Sequence, residues 1–236
     1  MIITRYENYN NVDVYFPEYN WTFYGSYYQN FKSGSLKCDY ERRYYNNGYI
    51  GEGNAPLTIG SKKTEPYKIW LNLLKRCYDY RLYKKQPTYV NCIVCEEWLC
   101  YNTFYKWYKE NYYEVENERV ALDKDILCKG NKIYSPETCV FVPQSINNLF
   151  VKRDAARGEY PIGVSYDKRA NIFVASCSNS NKEHIRLGSF DNPKDAFNEY
   201  KRFKEITIKK VADLYKDIIP DKLYEALYRY EVEITD

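Results

Sequence analysis

The alternation of apolar and polar positions changes period along the chain, and each change marks a predicted element. Up to about residue 40, short β-type runs, Ile2–Tyr6, Val12–Phe16 and Trp21–Tyr24, are separated by Asn-rich turns such as Asn10-Asn11. Side chains of a strand point alternately to its two faces, so these runs predict a small antiparallel sheet or barrel. Residues 41–66 carry Gly48, Gly51, Gly53, Pro56 and Gly60 without any period and predict an irregular connector. The glycine spacing there is not a phosphate loop, because no strand and helix bracket it.

From Pro66 the period becomes helical, with Trp70, Leu73, Leu74 and Cys77 on one face and Lys68, Lys75 and Arg76 on the other. A second helix follows Val94–Trp98, and its Trp98, Phe104, Trp107 and Tyr108 recur at core spacing. Leu122–Leu127 then reads as a strand, Gly130-Asn131 as a turn, and Cys139–Val142 as a second strand that Pro143 stops before a helix over Gln144–Phe150. Val151–Tyr160, with Lys152, Arg153, Arg157 and Gly158, reads as a charged linker. Beyond it, Ile162–Tyr166, Ile172–Cys177 and His184–Leu187 predict three strands with turns at Lys168–Asn171 and Ser178–Lys182. A helix over 193–216 follows, striped by Ala196, Phe197, Tyr200, Phe203, Ile206 and Val211. Ile218-Ile219-Pro220 breaks it, Lys222–Tyr230 resumes a helix, and Tyr230–Ile234 alternates as a strand expected to pair with the N-terminal strands. The class is α+β: a β-rich domain and connector over 1–60, a ββα domain over 61–152, and a three-stranded sheet plus helix over 158–236.

The 236 residues carry a formal charge of only +3, so any nucleic-acid argument rests on where charge lies. Between Ser61 and Val90 eight Lys and Arg face two acidic residues, an excess that suits a phosphate backbone or, equally, a solvated helix face. Residues 211–236 reverse the balance, with three basic against seven acidic, and are expected to pack away from DNA. No run reaches the roughly 18 apolar residues of a membrane span, and Met-Ile-Ile-Thr-Arg lacks signal-peptide order, so no membrane partner and a cytoplasmic location are expected. The eight cysteines are expected as reduced thiols, and Cys92-x-x-Cys95 as buried apolar cysteine; a zinc site would need further ligands such as Cys128 and Cys139. The 29 tyrosines and many asparagines suggest AT-rich codons. On the N-terminal strands the tyrosines read as core and edge packing, with base stacking as the alternative.

The ββα unit, LDKDILCKGNKIYSPETCVFVPQSINNLF from Leu122 to Phe150, resembles the HNH nuclease motif. With the segments YKIWLNLLKRCYD, VCEEW and FYKWY before it, the stretch Tyr67–Phe150 resembles a widespread group of phage HNH-like proteins, many of which lack the catalytic His. The resemblance implies that Asp123 is the metal-binding carboxylate, that Asn131 lies in the loop, and that Asn147 or Asn148 is the last ligand from the helix. Lys124 stands where the catalytic His belongs. An imidazole is partly unprotonated near pH 7, whereas a lysine of ordinary pKa, ~10.4, is not. The single His of the chain, His184, lies in a different predicted domain. A desolvated Lys124 could still serve as base; otherwise the motif remains as a DNA-gripping scaffold.

Gly163-Val164, Leu187-Gly188-Ser189-Phe190-Asp191 and Asp195-Ala196-Phe197, in that order, resemble the ethylene-response-factor (APETALA-type) DNA-binding domain over about fifty residues. That family lays its sheet in the major groove on the face opposite the helix. Alternation assigns Phe173, Ala175 and Cys177 to the helix side and Val174 and Ser176 to the outer face. The outer face then offers Ser165, Lys168, Arg169, Ser176, His184 and Arg186 to DNA. Three functions are expected in competition: a duplex-DNA-binding protein on an impaired nuclease scaffold, a phage inhibitor that binds a bacterial defence complex, and an active Mg²⁺-dependent endonuclease with Asp123 and Asn147 as ligands.

Overall fold

The computed structural model describes residues 1–151, 159–179 and 183–234. The expected linker at Lys152, Arg153, Arg157 and Gly158, the domain boundaries at 152 and 158, and the turn centred on 180–182 lie outside the described residues. The fold is α+β, and the chain divides into two compact units, Met1–Asn111 with Asn131–Thr138, and Tyr112–Gly130 with Cys139–Asp236.

In the first unit, β1 (Ile2–Asn8), β2 (Asn11–Phe16) and β3 (Trp21–Ser26) form an antiparallel sheet in sequence order. Only β2 is buried along its length, with Val12 and Val14 fully inaccessible against Leu36 and Cys38, whereas six of the seven β1 residues are exposed. Helix α1 (Glu65–Tyr78) buries the expected face, Trp70, Leu73, Leu74 and Cys77, and carries Pro66 in its first turn where a missing N–H costs nothing. Helix α2 (Tyr101–Asn111) follows a short turn of helix at Glu96–Leu99. The indole N–H of Trp70 donates to the Trp98 carbonyl at 2.7 Å, which ties α1 to that turn. The glycine-rich connector is pinned by Asn102, whose amide donates to the carbonyls of Ile50 and Gly51 at 3.0 and 3.1 Å. Ile133–Tyr134 pairs in parallel with Ile93–Val94, so the middle of the expected ββα loop belongs to this unit.

In the second unit, β4 (Val120–Asp123) and β5 (Val140–Pro143) are antiparallel, and α3 (Gln144–Asn147) follows directly, giving the expected ββα order. The first strand does not extend to Leu127. Asp123 Oδ1 accepts the backbone N–H groups of Asp125 and Ile126 at 2.7 and 2.8 Å, and such a side-chain bond competes with the strand ladder. The C-terminal sheet orders β6 (Val164–Asp167), β7 (Ile172–Ser178) and β8 (His184–Phe190) as an antiparallel meander. Helix α4 (Pro193–Leu214) starts at Asn192, whose side chain accepts the Asp195 N–H at 2.9 Å, an N-cap.

Two cores meet along α4. Phe197 and Tyr200 pack with Cys177 of β7 and with Val232, while Ile208, Val211 and Ala212 pack with Val140, Val142 and Ile146 of the ββα element and with Leu223 and Leu227 of α5 (Asp221–Arg229). Ile206, expected in the stripe, is exposed, because the buried rows step from Tyr200 to Thr207, Ile208 and Val211 and leave position 206 on the other side of the helix. The expected strand at Tyr230–Ile234 is also absent: these residues form no strand, and the N-terminal sheet consists of β1–β3. The reason is local. Val232 is buried against the α4 core, and its N–H is taken by the Glu205 carboxylate at 2.9 Å, leaving no free ladder.

Candidate nucleic-acid interface

The register of the C-terminal sheet decides which side chains share its outer face. Ser165 lies opposite Val174, Val174 opposite Ser189, Ser176 opposite Arg186, and Ser178 opposite His184. Directly opposed residues project to one side, so Ser165, Val174, Ser176, Arg186, Ser189 and His184 are together. Ala175 and Cys177, as the alternation predicted, are buried on the helix side. Phe173 is half-buried against the rings of Tyr160 and Tyr166, with centroids 5.2 and 5.0 Å away.

Lys168 and Arg169 occupy the β6–β7 turn. Asp167 Oδ1 accepts the backbone N–H groups of Arg169 and Ala170 at 2.9 and 3.2 Å, and Asn171 takes φ +55, which together close the turn and leave both basic side chains exposed. Arg186 donates to the Ser189 hydroxyl at 2.7 Å. Among the described residues none of Lys168, Arg169 and Arg186 forms an ion pair with a carboxylate. Ser189 lies beyond the strand that alternation predicts. A register shift between Ala175 and Ser176 carries β8 three residues past the expected end at Leu187, and Gly188 inside a strand pattern is the signal of such a bulge.

The ββα residues fall in both units. Asn131 belongs to the first, where its side chain accepts the Ile133 N–H at 3.1 Å and donates to the Ile133 carbonyl at 2.6 Å, a local turn. Asp123, Lys124, Asn147 and Asn148 belong to the second. Burial pushes the Asp123 carboxyl above the usual carboxylate range, against the lowering effect of its two backbone N–H donors. Lys124 is buried, with its ammonium 2.7 Å from Asp125 Oδ2. Asn147 is half-buried; Asn148 is exposed and accepts from Gln144 Nε2 at 2.9 Å. Among the described residues no hydrogen bond joins Asp123 to Asn147 or Asn148, and no group of three or more His, Cys, Asp or Glu is arranged to hold a metal ion.

No family model, curated protein or solved structure matches the chain. In the first unit, Lys68 is exposed and pairs with Glu65 at 3.2 Å, Lys75 is half-buried, and the Arg76 guanidinium lies 5.3 Å from the Tyr89 ring centroid. These cations are more engaged with their own unit than the three of the sheet. Cys92 is buried and donates weakly to the Thr88 carbonyl at 3.7 Å, and burial pushes the Cys95 thiol up. No helix among the described residues is long and apolar enough to cross a membrane.

Proposed function

We propose that the chain binds duplex DNA through the outer face of its C-terminal sheet, with the ββα element as scaffold rather than cutting site. The observation that carries this reading is the exposed trio Lys168, Arg169 and Arg186, without an ion pair among the described residues, around a floor of small side chains, Ser165, Val174, Ser176 and Ser189. Such a floor lets backbone and groove approach closely, while the cations meet phosphates. Phosphate contacts fix register and orientation without reading sequence, so selectivity among sequences is low. The scaffold role is supported by Lys124, buried and bonded to Asp125 where the resemblance expects a free imidazole, and by Asp123 Oδ1, taken up by two backbone N–H groups.

Changing Lys168, Arg169 and Arg186 together to Ala tests the reading. Each phosphate contact adds about 0.9 to the slope of log affinity against log salt, so the variant should lose about 2.7 from that slope, similarly for unrelated duplexes. An unchanged slope would remove the sheet from the interface. A second reading, a protein partner such as a bacterial defence complex, is favoured by the N-terminal sheet, where Ile2, Tyr6 and Tyr24 are each more than half exposed. It would gain if wild type showed no salt-dependent binding to any duplex.

A further inference from the structure

A cleft of about 300 Å³ opens in the second unit where β7 outruns β6. The β6–β7 ladder ends at Val164 and Ala175, and beyond it the Ser176 N–H reaches across to the Gly163 carbonyl at 2.9 Å. Leu149, Phe150, Ile162 and Val232 give the cleft an apolar wall. Lys204 of α4 lines it too, half-buried, and has no ion pair or hydrogen bond among the described residues. A charge withdrawn from water is costly unless it is paired, so desolvated ammonium groups are ordinarily found with a counter-charge. Burial accordingly pushes the Lys204 ammonium below the usual lysine range. Cys177 is the neighbouring group that could neutralise it, but burial raises its thiol as well, and it remains uncharged near pH 7.

The sequence hides this arrangement, since Lys204 reads as a polar residue in a charged stretch. Its spacing of four from Tyr200 is the signal that puts it on the buried side of α4. We propose that the cleft binds a small organic anion, its carboxylate on the Lys204 ammonium and its apolar body against Phe150, Ile162 and Val232. Asn148 also lines the cleft and offers side-chain N–H donors for the remaining carboxylate lone pairs. A cleft this size is at the lower end of small-molecule sites, which are mostly apolar with a few placed polar groups. The apolar wall disfavours a fully hydrated inorganic ion. The inference goes beyond the DNA reading and does not depend on it.

The test uses the full chain titrated calorimetrically with benzoate, with benzamide as the neutral analogue and inorganic phosphate as the hydrated anion. Benzoate is expected to bind at one saturable site with a dissociation constant of about 1 mM or below. Benzamide and phosphate are expected to bind at least about tenfold more weakly, and Lys204→Met to lose benzoate by at least about tenfold. In parallel, formaldehyde and a mild reductant methylate accessible amines in wild type, and peptide mass spectrometry reads the rate at Lys204, which benzoate should slow. This readout stands even where Lys204→Met fails to fold. No saturable site, equal binding of benzamide or of phosphate, undiminished binding by a folded Lys204→Met, or no protection of Lys204 would each overturn the proposal.

Discussion

Replacing Gly163 with Ala probes the joint on which the C-terminal sheet rests. Gly163 has φ +77, a conformation that L-residues reach at a cost of about 1–2 kcal/mol. Its Cα faces the ring of Tyr200, a buried residue of the α4 core. An added Cβ would meet three ring atoms, and even the farthest, Cε2, would be only 2.5 Å away, against 3.4–4 Å for ordinary contact. Ring or backbone must therefore shift, and overpacking of this kind costs about 1–3 kcal/mol. The sum is a loss of about 2–5 kcal/mol, read as a lower urea midpoint at unchanged slope. Gly130→Ala is the internal control: φ is +76, and nothing lies within 4 Å of an added Cβ, so only the backbone cost of about 1–2 kcal/mol applies. Removing the ring separates the two contributions, because in a Tyr200→Ala background the added methyl has no ring to strike and the effects of the two changes should not add. A Gly163→Ala cost no greater than that of Gly130→Ala, or a simply additive double variant, would mean that the Tyr200 ring does not restrict position 163.

Asp123→Asn should stabilise the protein near neutral pH. Because the Asp123 carboxyl is raised, the native state holds its proton more tightly than the unfolded chain, so its contribution is fully present below the unfolded pKa and is lost as pH rises through the folded one. At pH 7 the half-buried carboxylate is thus a cost that Asn removes while keeping Oδ1 as acceptor for Asp125 and Ile126; at about pH 3, below the ordinary Asp value, the advantage should vanish. Urea melts at both pH values check this, and a variant less stable at pH 7 would count against it. For Lys124, wild type should show no Mg²⁺- or Mn²⁺-dependent nicking of supercoiled plasmid, and Lys124→His tests whether an imidazole restores any, general-base catalysis being worth roughly 10²–10⁴-fold. Robust wild-type cleavage that Asp123→Ala abolishes would sink the scaffold reading.

Much of the fold was legible because its determinants are periodic. The spacing of Trp70, Leu73, Leu74 and Cys77 defined the buried face of α1, and the alternation through Ala175 and Cys177 defined the inner face of β7. What the pattern could not carry were side-chain bonds that override it. Asp123 stops a strand by capturing two backbone N–H groups, and Glu205, 27 residues away in sequence, takes the Val232 N–H that an alternating run had promised to a ladder. Ile206 failed for a related reason: one apolar residue out of phase carries no information until the packing partners of α4 are known. Within the candidate interface, Ser165, Ser176, His184 and Arg186 followed from alternation, whereas Ser189 needed the bulge; outside it, Lys204 needed the cleft.

The turns of this protein have an evolutionary consequence. Asn20, Asn46, Asn91, Asn117 and Asn171 all take positive φ, between +47 and +64. Asparagine is one of the few residues that visit this region readily, although glycine does so at less steric cost. Asn and Gly codons differ at both of their first two positions, so a gene that builds its corners with asparagine cannot reach glycine by a single base change. The substitutions within one step include Asp, Ser and Lys; of these Asp tolerates the left-handed region best. The corners should therefore drift toward aspartate, adding negative charge, rather than toward the more permissive residue. At Asn171, beside Lys168 and Arg169, such a step would weaken the basic turn without disturbing the fold.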